Sequence, residues 1–185
     1  MDPVTGVSLF ERLLGDGFAT LAPRVRALHA LDGSASWSGT ADIERGTHPL
    51  ARLCAAIAGL PPAARAVPAT VDFRADAQGE TWRRHFGGAR MTSRLRACNG
   101  RLCERLGPMA FEFALAARHG EIHWQAVGAR LSGVLPLPAR WFAEVRCRER
   151  EYAGRYEFLV EARLPWLGPL IHYEGWLAPD GQPAA

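Results

Sequence analysis

Lysine is missing from this chain of 185 residues, and asparagine occurs only once, at Asn99. All 22 strongly basic residues are therefore arginines, and the chain is arginine-rich. Because arginine here must supply the solubilising charge that lysine usually shares, each arginine is a weaker sign of a binding role than in most proteins. The net charge of +3 is modest, so we do not expect nucleic acid to be a partner.

Long apolar segments are also missing. The longest apolar runs, such as residues 53–60, are far shorter than the ~20 residues that a membrane-spanning helix needs. Residues 1–14 have neither the cationic start nor the apolar stretch of a signal peptide. We therefore expect no membrane span and a cytoplasmic location.

Cysteine is scarce, and the motifs of common catalytic sites are lacking. The four cysteines, Cys54, Cys98, Cys103 and Cys147, show no CxxC spacing, which disfavours a zinc site. No GxSxG, P-loop, dinucleotide-binding or HExxH motif occurs. The sequence predicts no metal site and no cofactor, with reduced and mostly buried thiols.

What is present is the composition of a soluble globular protein, with 48% hydrophobic and 22% charged residues. A chain of this length buries enough surface to fold without a metal or disulfide staple. No repeat or linker divides it. We predict a single globular domain over residues 1–177 and a loose C-terminal tail over residues 178–185.

Two helical regions are predicted in the first third of the chain. Ser8 and Glu11 form a capping box, and apolar residues recur at helical spacing as far as Leu28, broken by glycines 15 and 17 and by Pro23. A later helix begins at Pro49, is capped by residue 47 or 48, and stops at residue 59. This helix is apolar nearly all round, which is typical of a helix buried on most sides.

After residue 67 the apolar period changes from 3.6 to 2, which indicates strands. Asn99-Gly100 is a strong hairpin signal, and His119-Gly120 stands in an equivalent place. Residues 133–138 carry two prolines and are interpreted as a loop or an edge crossing. The predicted strands cover residues 37–43, 69–75, 80–86, 91–98, 101–106, 111–118, 121–128, 143–151, 156–163 and 170–177.

The predicted fold class is α+β. A long antiparallel β-meander curls into a half-barrel or barrel, and two or three N-terminal helices cover it. Because hairpins fix the register, the faces of the strands can be assigned. The predicted inner face is rich in aromatic residues.

Two charged residues are predicted to share that apolar inner face. If residues 87–90 form a four-residue loop, Trp82 pairs with Leu95 and Arg84 points inwards; Glu104, also opposite Leu95, does the same. An arginine and a glutamate on an apolar face are costly alone and tolerable together. They form either a structural ion pair or a cavity site where Arg84 meets the acidic head of an apolar ligand.

Other polar groups are predicted to lie on the outer surface. The arginines of the 94–105 hairpin could hold an anion, but an ordinary solvated face, partnered by Glu149 or Glu151, is the preferred interpretation. The pairs His172 with Glu174 and His123 with Glu121 are interpreted as surface residues, since no nucleophile lies near them.

Several segments resemble a known family. They are residues 81–88 (TWRRHFGG), 133–138 (GVLPLP) and 165–177 (PWLGPLIHYEGWL), together with 9–15 (LFERLLG). Taken together they are similar to the bacterial domain of unknown function 4166 over nearly the whole chain. That family occurs alone or joined to membrane or NAD-binding oxidoreductase-like segments, and this chain resembles the stand-alone form. The resemblance implies no activity and no catalytic residues.

Three functions are consistent with these observations. The first is a non-enzymatic domain whose curled sheet encloses an apolar or amphipathic, acidic-headed small molecule. The second is an interaction module that docks on an oxidoreductase partner through an exposed apolar patch, for which the candidates are Trp141, Trp166 and Trp176. The third is a cavity enzyme, a cyclase or isomerase using Glu104, His123 or Glu174 as acid or base. The predicted ligand-binding residues are Trp82, Arg84, Phe86, Glu104, Phe113, Trp124 and Tyr173.

Overall fold

Antiparallel strands make up most of the chain, which a computed structural model describes over residues 6–181. The strands are β1 (Ser34–Arg45), β2 (Ala64–Asp76), β3 (Gly79–Phe86), β4 (Ala89–Cys98), β5 (Arg101–Leu106), β6 (Met109–Arg118), β7 (Glu121–Leu131), β8 (Leu135–Leu137), β9 (Glu144–Tyr152), β10 (Arg155–Leu164) and β11 (Gly168–Pro179). Every strand predicted from the sequence is present. The short strand β8 is additional, and it lies in the segment predicted as a loop or an edge crossing.

Ten of these strands close into a barrel. The sheet runs in the order β6-β5-β4-β3-β2-β1-β11-β10-β9-β7-β8, and β6 also pairs with β7. Strand β7 therefore completes the ring between β6 and β9, while β8 pairs only with the end of β7 and lies outside it. The α+β prediction of a curled meander is confirmed.

The N-terminal helices close one end of this barrel. They are α1 (Leu9–Leu14), a 3₁₀ helix (Gly15–Thr20) and α2 (Pro23–His29). The Ser8 hydroxyl accepts a hydrogen bond from the Glu11 amide, so the predicted cap is confirmed. The segment is anchored to the strand turns, because the Ala22 amide donates to Gly120 O at 2.9 Å and the Arg24 amide donates to Glu151 Oε2 at 2.8 Å.

Helix α3 (Pro49–Ile57) lies at the opposite, open end. His48 caps it by accepting from the Leu50 amide. Ala51 and Ala55 are fully buried, whereas three large apolar side chains, Leu50, Leu53 and Ile57, are 54–59% exposed. The prediction of a helix buried on most sides was wrong, because α3 contacts the barrel rim through its alanine face only and its other faces have no neighbouring element to cover them.

The register of the β3–β4 hairpin differs from the predicted one. Its turn has two residues, 87 and 88, so Arg84 pairs with Met91 and Trp82 with Ser93. This is a shift of two positions, and since side chains alternate with a period of two, the inward residues stay inward. At the other end of the chain, Ala178 and Pro179 belong to β11, so the strand continues beyond the predicted start of the tail. Residues 182–185 of that tail lie outside the described residues.

Candidate functional site

A cavity of about 460 Å³ enters the barrel from the open end. Its mouth lies between α3, the 3₁₀ helix Ala139–Phe142 and the β10–β11 turn, and its floor lies beneath the N-terminal helices. The wall is almost entirely apolar. All seven residues predicted as ligand-binding line it: Trp82, Arg84, Phe86, Glu104, Phe113, Trp124 and Tyr173.

Arg84 and Glu104 form a buried ion pair in the wall of this cavity. Each side chain is only 11% exposed, and Arg84 Nη2 lies 3.3 Å from Glu104 Oε1. Arg84 Nη1 donates to the Ser93 hydroxyl at 2.7 Å, and the guanidinium carbon lies 4.9 Å from the centre of the Trp82 ring. The alternation of β3, β4 and β5 brings these side chains together, as the sequence predicted.

Two polar groups beside this pair, Tyr173 and Cys147, are neutral at physiological pH. Burial raises the pKa of the Tyr173 hydroxyl and of the Cys147 thiol, which keeps both protonated. Burial lowers the pKa of the Arg84 guanidinium, but the combined attraction of Glu104, Tyr173 and Cys147 outweighs burial and raises this pKa. Beside the ion pair, the cavity wall therefore carries two neutral hydrogen-bonding groups, Tyr173 and Cys147.

A second polar cluster lies at the closed end. His29 Nε2 contacts Glu149 Oε2, and Tyr156 donates a hydrogen bond to the same carboxylate. His29 is fully buried, Glu149 is 4% exposed, and Glu149 and Tyr156 both line the cavity. The cluster ties α2 to strands β9 and β10.

Sequence reasoning missed this cluster. It placed Glu149 on a solvated face as a partner of the hairpin arginines, which was wrong, since Val145, Cys147 and Glu149 alternate onto the inner face of β9. The same prediction for Glu151 was wrong as well, because its carboxylate accepts a hydrogen bond from the Arg24 amide. The alternation of β9 is the signal that could have placed Glu149. Nothing local marks His29 as its partner.

The acid–base candidates outside the barrel are not brought together with Glu104. His123 Nε2 lies 3.1 Å from Glu121 Oε2, and His172 contacts Glu161 and Glu174 at 3.4 and 4.0 Å. These residues alternate with inward neighbours such as Trp124 and Tyr173, so they face outwards. The proposal that His123 or Glu174 works in the cavity was wrong.

Glu80 is a third buried carboxylate, also at the closed end. Its Oε2 accepts a hydrogen bond from Trp82 Nε1 at 2.8 Å, and its Oε1 has no partner among the described residues. Desolvation raises the pKa of this carboxyl above its ordinary value of 4.5, although His29 and the Trp82 hydrogen bond oppose the change.

This shift predicts a pH-dependent effect of Glu80→Gln. As pH rises, the Glu80 carboxyl ionises in the unfolded chain before it ionises in the folded protein. The free energy of unfolding of wild type therefore falls between a pH of about 4.5 and the folded-state pKa of Glu80. Glutamine does not ionise, so the free energy of unfolding of the variant, relative to that of wild type, should be higher at pH 7 than at pH 4. Urea unfolding at the two pH values measures this, with the exposed Glu44→Gln as control. An equal difference between wild type and Glu80→Gln at both values would contradict the assignment.

Residues 6–181 contain neither a candidate membrane-spanning helix nor a candidate metal-binding cluster. No helix there is long and apolar enough to cross a membrane. No group of three or more His, Cys, Asp and Glu side chains in that range is placed to hold a metal ion.

Comparison with known families agrees with the resemblance seen in the motifs. A family model described as a domain of unknown function (DUF4166) matches residues 21–177. The chain belongs to the DUF4166 family. The DUF4166 match begins just before α2 and includes the whole ring of strands except the last two residues of β11. No curated protein and no solved structure gives a significant match.

Proposed function

We propose that this barrel is a non-enzymatic binding domain that holds an apolar or amphipathic small molecule in its cavity. The observation that carries the proposal is an apolar cavity, open at one end, whose wall is interrupted by a buried ion pair. Small-molecule sites have this character, with a few polar groups fixing the orientation of a largely apolar ligand. The cavity volume of about 460 Å³ lies within the range of roughly 300–1,000 Å³ found for such sites.

The ion pair is suited to receive the polar head of the ligand. Both guanidinium contacts with Glu104 go to Oε1, at 3.3 and 3.4 Å, which is longer than the ~2.7–2.9 Å of a strong charge-assisted bond. Arg84 thus keeps donor capacity for a second acceptor. An acidic head would share the guanidinium with Glu104, whereas a hydroxyl could also donate to the carboxylate.

The other two functions are weaker proposals. An acid–base enzyme would need partners for Glu104, and of the predicted candidates only Glu104 lines the cavity. A module docking on an oxidoreductase partner would carry no small ligand, so the test below separates it from the binding domain. A cytoplasmic location is supported by the four cysteines, all free thiols, as expected in a reducing compartment.

Native mass spectrometry of protein purified gently from its own host tests the proposal. We expect a reproducible excess mass that is lost on denaturation, and titration with palmitic acid and hexadecanol then distinguishes an acidic from a neutral head. If the native protein has only the mass of its own sequence and binds neither probe, the proposal is overturned and the docking module is favoured.

A matched pair of substitutions tests whether the ligand lies inside the barrel. Ala162→Trp places an indole in the cavity wall, whereas Ala114→Trp places the same group on the exposed outer face of β6. We expect the inner variant to weaken binding of the better probe by at least about tenfold, or ~1.4 kcal/mol, and the outer variant to bind like wild type. Circular dichroism confirms that both fold. Equal binding by both variants would place the ligand elsewhere.

A further inference from the structure

Exposed large apolar residues are concentrated at the open end of the barrel. Seven of the nine such residues among positions 6–181 lie there, and only Val7 and Tyr152 do not. We call these seven residues the apolar rim: Leu50, Leu53, Ile57, Val134, Leu135, Trp141 and Trp166. Single exposed apolar side chains are ordinary, but a contiguous set marks an interaction surface.

Helix α3 has the reverse of the usual amphipathic arrangement. A helix on a protein normally buries its large apolar side chains, yet α3 buries Ala51 and Ala55 and exposes Leu50, Leu53 and Ile57 by more than half. The exposed residues recur at intervals of three and four and form a stripe along one face. Such a helix is suited to lie flat on an apolar or interfacial surface.

The rim is continuous with the cavity. Trp141 and Trp166 are 37% and 87% exposed, and both also line the cavity mouth together with Cys54 of α3 and Ala58, which follows that helix. Trp166 lies in the β10–β11 turn, where it projects beyond the ends of the strands. Tryptophan side chains are enriched at the interface between a membrane and water.

Unpaired positive charge surrounds the same end. Four exposed arginines, Arg52, Arg90, Arg105 and Arg140, have no acidic partner among residues 6–181. The acidic residues near this end are already engaged, since Glu44 contacts Arg65, Glu112 contacts Arg130 and Glu144 contacts Arg163. The surface therefore joins apolar side chains to an excess of guanidinium groups, which complements anionic lipid headgroups over acyl chains.

We propose that the apolar rim docks the open end of the barrel on the surface of an anionic lipid bilayer, from which the cavity exchanges its ligand. The inference rests on the proposed function, because it names the bilayer as the source of the apolar molecule. A docked rim places the cavity mouth against the acyl region, so an apolar ligand passes between the two without crossing water.

Vesicle flotation tests this inference on the full chain. We compare vesicles of phosphatidylcholine alone with vesicles that also contain phosphatidylglycerol. Wild type should float with the anionic vesicles and much less with the neutral ones. Trp166→Ala should weaken partitioning by about tenfold, because it removes the largest apolar side chain that the rim would bury in the bilayer. The double variant Leu53→Gln/Ile57→Gln should lose at least as much.

Charge and position are tested by matched variants. Arg52→Gln and Arg140→Gln should each weaken binding to anionic vesicles about fivefold, whereas Arg118→Gln, an exposed arginine at the closed end, should not. Tyr152→Gln replaces a side chain that is 61% exposed at that same closed end, and it should float like wild type.

Solution binding of palmitic acid or hexadecanol by the rim variants separates the two proposals. If wild type binds a probe in solution but does not float, the membrane inference is overturned and the binding domain stands. If it floats in a rim-dependent way but binds no probe, surface docking stands and the binding domain fails. Dimers that form without flotation and are abolished by Trp166→Ala would show that a second copy covers the rim, and that result also overturns the inference.

Discussion

Arg84→Leu should destabilise the fold by about 3–5 kcal/mol, the cost typical of leaving a buried charge without its partner. The variant leaves Glu104 at 11% side-chain exposure in an apolar wall, and it also removes the donor to Ser93. Chemical denaturation of wild type and variant measures the change in the free energy of unfolding. Equal stability would show that the pair is solvated and contributes little.

The double variant Arg84→Leu/Glu104→Leu is the informative companion. Replacing a whole buried pair by apolar residues is often neutral or stabilising, so the double variant should recover most of the stability lost by the single one. Arg94→Leu, an exposed position on the outer face of β4, serves as control and should change stability by no more than about 0.5 kcal/mol. A double variant as unstable as the single one would show that the arginine stem, rather than the charge, holds the wall together.

Phe10→Ala should have an effect of similar size, about 3–5 kcal/mol. Phe10 is fully buried, and its ring centre lies 3.8 Å from that of His29 and within 6.0 Å of Trp82 and Trp124. Removing the ring leaves a void between α1 and the floor of the barrel, which few neighbours can fill. Thermal and urea unfolding measure the loss.

Val7→Ala is the matched control for Phe10→Ala, because Val7 is 55% exposed and precedes the same helix. It should leave stability within about 0.5 kcal/mol of wild type. Limited proteolysis adds a second readout, since Phe10→Ala should make the N-terminal helices more accessible at low protease concentration. If Phe10→Ala and Val7→Ala behaved alike, the floor of the barrel would not depend on this ring.

The strands and the orientation of their side chains were predictable because both depend on local alternation. The error at the β3–β4 turn moved the register by two residues, and a shift of two leaves every side chain on its correct face. Arg84 was therefore placed correctly inside although its cross-strand partner was not, whereas Glu104 lies opposite Leu95 as predicted. An error of one residue would have reversed the assignment.

What could not be predicted depends on contacts between distant parts of the chain. The contact between His29 and Glu149 joins residues 120 positions apart, and no pattern near either residue announces it. The exposure of Leu53 and Ile57 depends on which face of α3 packs against the ends of the strands, since a helix that is apolar on all faces can pack through any of them. The alanine face is the one that allows close approach to the backbone at Gly46, beside which Ala51 lies.

The pairing between β7 and β9 is the shortest in the ring of strands. Only four residue pairs, from Ile122 with Glu149 to Gln125 with Arg146, close the ring there, and every other pair of neighbouring ring strands has at least five. The Gln125 side-chain amide donates a hydrogen bond to Ala143 O at 2.9 Å. Beyond this residue, β7 pairs with β8 instead of with β9. Opening the barrel between β7 and β9 would therefore separate fewer paired residues than opening it between any other two strands of the ring.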